Sequence, residues 1–188
     1  MKTLVIGDVH FGCKSNNISW LDMQLKFFND QVIPEIRSGD YDNIVFLGDV
    51  FDVRYSINEQ VGIEVKDLFR RLASISKEIF IVAGNHDYYS PLQEFQRYNA
   101  YSLAFGPEFT DAYPNLHFIT EAPLESDGML FLPWYYTEDD GLLKKALSQH
   151  QDTKIIYCHT DLQSWDSDKV ALVNGKTIYS GHIHYPWS

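Results

Sequence analysis

The chain has 188 residues, of which 45% are hydrophobic and 15% aromatic, and its formal net charge is −11. That length and apolar content fit one folded domain around a single core and exclude a disordered tail. The acidic balance excludes a broad basic face for polyanions, because phosphate contacts ordinarily come from Lys and Arg. Two cysteines, Cys13 and Cys158, are too few for a disulfide scaffold and suit structural thiols in a reducing compartment. The apolar run Leu4-Val5-Ile6 is too short for a signal peptide, and no stretch approaches the ~20 apolar residues of a membrane span. A cytoplasmic protein with no membrane partner is the expectation.

Apolar runs of strand length alternate with stretches of helical period. Residues 3–6 read as the first strand. Over residues 20–37, Leu21, Leu25, Phe28 and Val32 recur at helical spacing, and Pro34 is expected to kink or end that helix. A second strand at 43–47 precedes a helix at 58–76, with Val61, Val65, Leu68 and Leu72 on one face and Asn58 as a cap. A third strand covers 79–82. Residues 88–114 are aromatic and turn-rich without a clear period, and read as a long loop with short helical turns. Strands at 129–132 and 155–158 flank an amphipathic stretch at 138–149. Near the end, Asn174-Gly175 between 170–173 and 177–179 is a two-residue hairpin signal. The rhythm predicts a layered α/β fold with largely buried strands.

The chemistry sits where strands end. Asp8-Val9-His10, Gly48-Asp49-Val50-Phe51-Asp52, Gly84-Asn85-His86-Asp87, Cys158-His159 and Gly181-His182-Ile183-His184 each begin within a residue or two of a strand's carboxyl end. In open α/β sheets that edge is where ligands bind. Side chains two apart on an extended segment point the same way, so each x-spaced pair can grip one ion. A lone Gly-Asp or a lone histidine is ordinarily a turn or a satisfied polar residue; five such segments together are not explained that way. Mixed imidazole, carboxylate and amide ligands suit Mn²⁺, Fe²⁺ or Zn²⁺, with Mg²⁺ also admitted, better than an all-oxygen Ca²⁺ cage. Two such ions can clamp a phosphate and activate a water, and His86 would then be the proton donor to the leaving alkoxide. Asp87 reads either as the partner that orients His86 or as a turn cap.

This order of motifs resembles the calcineurin-like metallophosphoesterases, from Thr3 to His184. The resemblance implies a four-layer α/β/β/α sandwich with two central mixed sheets. It implies that Asp8, His10 and His184 hold a first metal, that Asn85, His159 and His182 hold a second, and that Asp49 bridges both. His86 would approach the scissile phosphate without binding metal. Within that superfamily, Asp8-Val9-His10-Phe11-Gly12, the Gly48–Arg54 segment, Tyr113-Pro114-Asn115-Leu116 and Leu132-Pro133-Trp134 are similar to the nuclease subunit of the recombination and double-strand-break repair complex, in its phage-type form. That likeness implies a Mn²⁺-dependent exonuclease or endonuclease acting on DNA with an ATPase partner subunit, in the host cytoplasm if phage-encoded. It also implies a homodimer formed through helices near residues 20–28. The chain stops four residues past His184, so the cap and partner-binding regions expected beyond it are lacking; a fragment and a minimal form are both open.

Substrate contacts are assigned to Arg54, Asp52 and Tyr88, each against a plainer reading. Arg54 also reads as a surface ion pair. Tyr88, Tyr89 and the Trp134–Tyr136 run read as base-stacking rings or as core. Asp52 stands where some relatives carry His. The acidic 160–169 loop rims the site and does not invite DNA. The competing functions are a phosphatase or small-nucleotide phosphodiesterase on the same centre, and a metal-binding scaffold without turnover. The sequence lacks the Gly-Asp-x-x-Asp-Arg-Gly of protein phosphatases, because Val53 separates Asp52 from Arg54.

Overall fold

The computed structural model describes residues 1–52, 56–90 and 97–184. Strand β1 (Thr3–Ile6) leads through a left-handed turn at Lys14–Asn16 into α1 (Ile18–Phe27), whose first N–H groups are capped by the Asn17 side chain. A π-helical turn at Phe28–Val32 joins α1 to α2 (Ile33–Gly39), and β2 (Asn43–Phe46) follows. Pro34 therefore does not end this helix. The wider turn ahead of it carries a bond from Ile33 N–H back to the Phe28 carbonyl, which relaxes the ladder where the proline ring would crowd the preceding turn.

Next come α3 (Glu59–Ile75), capped by Asn58, and β3 (Glu78–Val82). The 88–114 stretch contains α4 (Ala100–Ala104) and α5 (Gly106–Ala112), in line with short helical turns in a loop; its residues 91–96 lie outside the described residues. Strands β4 (Leu116–Ile119), β5 (Leu124–Ser126) and β6 (Met129–Phe131) lead to α6 (Trp134–Glu138), α7 (Asp140–Gln149) and β7 (Ile155–His159). Helix α8 (Ser167–Leu172) precedes β8 (Thr177–Gly181).

Two of the sequence expectations need correction. Residues 170–173 do not pair with β8. Asp166 caps a helix there by accepting from Lys169 N–H, and Gly175, at φ 78°, only turns the chain into a strand parallel to β7. Second, β4 and β5 escaped the sequence reading. The β5–β6 hairpin turns on Asp127-Gly128, with φ 49° and 75°, the left-handed pair that a two-residue turn requires.

The strands form two four-stranded sheets, ordered β1-β2-β3-β4 and β5-β6-β7-β8. The first sheet is parallel throughout. The second is mixed, with β5 antiparallel to β6 and the remainder parallel, so the expectation of two mixed sheets holds for the second alone. Leu21, Val65, Leu68, Phe69 and Leu72 press α1 and α3 onto the outer face of the first sheet. Leu143 and Leu147 of α7 cover the second against Leu130, Ile156 and Cys158. Between the sheets, Phe80 stacks on Phe131 at 4.3 Å and 13°, with Val45, Val82 and Tyr157 around them. The result is the α/β/β/α sandwich, each buried large side chain contributing roughly 1.5–3 kcal/mol.

Candidate metal centre

Parallel strands end together. β1, β2 and β3 in one sheet and β7 and β8 in the other bring their following loops to one edge of the sandwich, and all seven expected ligands meet there. Asp8 Oδ2 lies 2.9 Å from His184 Nε2, which lies 3.2 Å from His10 Nε2. Asn85 Oδ1 lies 2.9 Å from His182 Nδ1 and 3.0 Å from His159 Nε2, and those two nitrogens are 3.2 Å apart. Asp49 Oδ2 sits between the groups, 3.3 Å from His159 Nε2 and 3.7 Å from His10 Nε2.

Close approach is purchased with unusual backbone. His10, Asp49 and His182 have φ of 53°, 48° and 85°, a region non-glycine residues seldom occupy without over-determining contacts. Those contacts are cross-ties between motifs: His182 N–H donates to Asp8 Oδ2 at 2.9 Å, and His86 N–H to Asp49 Oδ1 at 2.8 Å. Gly181 has no alternative, because a Cβ there would strike Asp8 Oδ1 and come within 2.7 Å of the Leu47 carbonyl.

The donor set fits cations. Imidazole nitrogens 3.2 Å apart repel if both present lone pairs, and an ion between them resolves that conflict. Asp8 Oδ1 is buried without a hydrogen-bond partner among the described residues. His159 Nδ1 lies 2.8 Å from the Leu47 carbonyl, which takes an Nδ1 proton and leaves Nε2 as the nitrogen that could ligate. Two sets of side chains thus offer metal-ligating atoms within 4.8 Å of one another: Asp8, His10 and His184, and Asp49, His159 and His182.

Electrostatics favour neutral rings at His10 and His182 and a charged one at His159. Burial pushes the Asp49 carboxyl up, but the His159 hydrogen bond and charge, with the His86 N–H, outweigh it and hold the group below the usual range. Burial lowers His10 and His182, the latter helped by His159, which favours neutral ligating imidazoles. For His159 burial also acts downward, yet the bond to Asp49 and the charges of Asp49 and Asp8 raise it.

Other expected site residues fall differently. His86 is at the centre, its ring 5.0 Å from that of His10 and its Nδ1 2.6 Å from the main-chain carbonyl of Asp52. Asp87 is not its orienting partner. Asp87 is fully buried and accepts from Phe51 N–H at 3.3 Å, Gly84 N–H at 2.9 Å and Tyr101 O–H at 2.7 Å, which makes it the internal clamp of this loop. Burial, then the nearby Asp49 charge, pushes Asp87 up to about 7.

Tyr88 does not contact substrate. It is 1% exposed and its O–H donates to the Thr120 carbonyl at 2.6 Å, so it cannot stack on a base. Tyr135 is likewise core, tied to the Glu121 carbonyl. Trp165 is largely buried and its Nε1 donates to Thr160 at 3.3 Å, fastening the loop after β7. Arg54 lies outside the described residues. Asp52 faces His10, with Oδ1 3.3 Å from Nδ1.

One residue escaped the sequence reading. Gln24 reaches from α1 to donate to the Val9 carbonyl at 2.6 Å, pinning the turn that carries His10. Its place on the otherwise apolar stripe of Leu21, Leu25 and Phe28 was the available signal.

With two layered sheets and this cluster in place, the class is defined: the calcineurin-like phosphoesterase profile matches residues 1–186, and the chain belongs to that family, whose members use divalent metal ions. A particular relative is the protein named exonuclease subunit 1 of Enterobacteria phage T4, 24% identical over 197 aligned positions covering 98% of this chain. Those positions are 55% of the phage protein, so the chain spans about half the length of that relative. Among solved structures, the Pseudomonas putida nuclease MPE is similar with a TM-score of 0.43 and 18% identity, over 69% of this chain and 52% of the other. No described helix is long and apolar enough to cross a membrane.

Proposed function

We propose that this phosphoesterase is a dinuclear phosphodiesterase that cuts DNA. Asp8, His10 and His184 would hold one ion and Asn85, His159 and His182 the other, with Asp49 as the ligand available to both. Mn²⁺ is the favoured ion. The observation that carries the reading is the position of Asp49 Oδ2, within 3.7 Å of a nitrogen from each group. When bound, the two cations supply an activated water and neutralise charge on the phosphate oxygens.

The chain's own residues do the rest. The cross-ties from His182 N–H and His86 N–H keep both carboxylates aimed, so little reorganisation is needed when a phosphate arrives. His86 donates its Nδ1–H to the Asp52 carbonyl, so a proton passed to the leaving oxygen would come from Nε2 of the doubly protonated ring. Support for a nuclease comes from the phage relative's name, exonuclease, and DNA is the substrate that the sequence resemblance implies. That name also describes a subunit, which supports a partner chain; an ATPase as that partner, a role in DNA recombination or repair, and the host cytoplasm are what the sequence resemblance implies.

The net charge of −11 favours a second reading, a phosphatase or small-nucleotide phosphodiesterase, because a small substrate needs no basic track. Incubation with Mn²⁺ and linear DNA, beside a panel of phosphate monoesters and cyclic nucleotides, separates the two. DNA shortened with the monoesters spared supports the nuclease. Monoester turnover with DNA intact, in the presence of its ATPase partner, would sink it.

A further inference from the structure

Outside the two ligand sets, one more trio offers metal-ligating atoms within 4.8 Å of one another: His10, Asp52 and His86. Its members are already engaged in a way that argues against a third ion. His10 Nε2 faces His184 at 3.2 Å and Asp49 at 3.7 Å, which is the ligand side of the ring. His86 Nδ1 is taken by the Asp52 carbonyl at 2.6 Å. What remains is His10 Nδ1, a buried nitrogen with no hydrogen-bond partner among the described residues, 3.3 Å from Asp52 Oδ1.

We infer that the Asp52 carboxylate is the outer-sphere anchor of His10, a positioning residue that sets how tightly the first site holds its ion, and not a substrate contact. A neutral imidazole that ligates through Nε2 must carry its proton on Nδ1. Here Nδ1 lies 3.3 Å from Asp52 Oδ1, within ion-pair distance though outside hydrogen-bond geometry; closing onto that oxygen would fix the tautomer, hold the ring plane and raise the basicity of the opposite nitrogen. The turn that carries His10 needs such a hold. His10 sits at φ 53°, fixed otherwise by its N–H bond to the Asp49 carbonyl at 2.9 Å and by the contacts of Gln24 with the preceding carbonyl. Asp52 is itself placed from the same turn, because its N–H donates to the Phe11 carbonyl at 3.0 Å. Another ligating histidine with a defined outer partner, His159, leans on the Leu47 main-chain carbonyl at 2.8 Å, with Asp8 Oδ1 farther off at 3.6 Å. At His10 the nearest outer group is a side chain that mutation can remove.

The inference rests on the proposed metal centre, and Mn²⁺ titration of the metal-free full chain tests the two separately. Wild type taking up two Mn²⁺ supports the centre; fewer than two overturns it and the role of Asp52 together. Given two, Asp52→Ala is expected to weaken one site about 10–100-fold and leave the other within about threefold. Asp52→Asn, whose amide oxygen still accepts the Nδ1 proton and whose shape preserves the fold, is expected to recover most of that loss. The ¹⁵N signals of the His10 ring should report the Nδ1–H tautomer in wild type and Asp52→Asn, and lose it in Asp52→Ala. Unchanged affinity at both sites in Asp52→Ala, even with hydrolysis lost, would overturn the inference by placing Asp52 on the substrate. A third Mn²⁺ that Asp52→Ala abolishes would overturn it by making Asp52 a ligand.

Discussion

A single carboxylate oxygen carries more of the proposed chemistry than any other atom in the chain. Asp49 Oδ2 lies between the two ligand sets while its Oδ1 accepts the His86 N–H, so truncation removes a shared ligand and a backbone tie at once. Asp49→Ala is expected to lose both ions together, measured by metal analysis after dialysis; full retention of one would count against a shared ligand. His86→Gln should keep both ions yet lower hydrolysis by about 10²–10⁴-fold, the usual worth of a positioned proton donor, as read from single-turnover rates. Asp87 gives a pH signature. Its folded-state value of about 7 lies above the ~3.9 of an unfolded chain. The folded state therefore holds this proton longer, and the group costs stability progressively as pH rises from about 4 to about 7. Melting temperatures of metal-free wild type should fall relative to Asp87→Asn across that window and run parallel above it; parallel curves throughout would clear Asp87.

At the scale of elements, the loops that follow β1, β2, β3, β7 and β8 matter more than the helices. Gly181 closes β8 against the Leu47 carbonyl and His159, neither of which can yield cheaply. Gly181→Ala should lower both the melting temperature and the affinity for the ion at Asp8, as calorimetry would show. Helix α1 offers a different surface, with Trp20, Met23 and Phe27 at 41%, 51% and 58% exposure at helical spacing on one side. Self-association through that stripe is the homodimer the sequence likeness implies. Phe27→Asp should then convert a dimer to a monomer in light scattering, with metal uptake unchanged. Much of this level was legible beforehand, because period-2 and period-3.6 apolar patterns are local: β1, β2, β3, α3 and α7 appear within a residue or two of their expected bounds. The exceptions have physical causes. Asp166 capped a helix that the Asn174-Gly175 signal masked, and β4 is a four-residue run just past the aromatic 88–114 stretch, too short for a period to stand out.

For the whole molecule, the stack of Phe80, Phe131 and Tyr157 between the sheets holds two independent sets of strand ends in register, with the ligands at one edge. The charge of −11 sets how DNA would be held: through the ions and few cations. Log affinity for DNA against log salt should therefore fall with a slope no steeper than about −3, corresponding to about three neutralised phosphates; a much steeper slope would reveal a basic track. The family, the layered α/β class and the identity of the seven candidate ligands were readable from the chain alone, because each depends on residue types at short spacing after an apolar run. Only tertiary structure decided that Asp87 and Tyr88 are core, that Asp52 faces His10, and that one oxygen of Asp49 sits between both groups. These relations join residues 32 (Tyr88 and Thr120) to 110 (Asp49 and His159) positions apart, and burial and distance across such gaps are set by how two sheets pack, which no local pattern encodes.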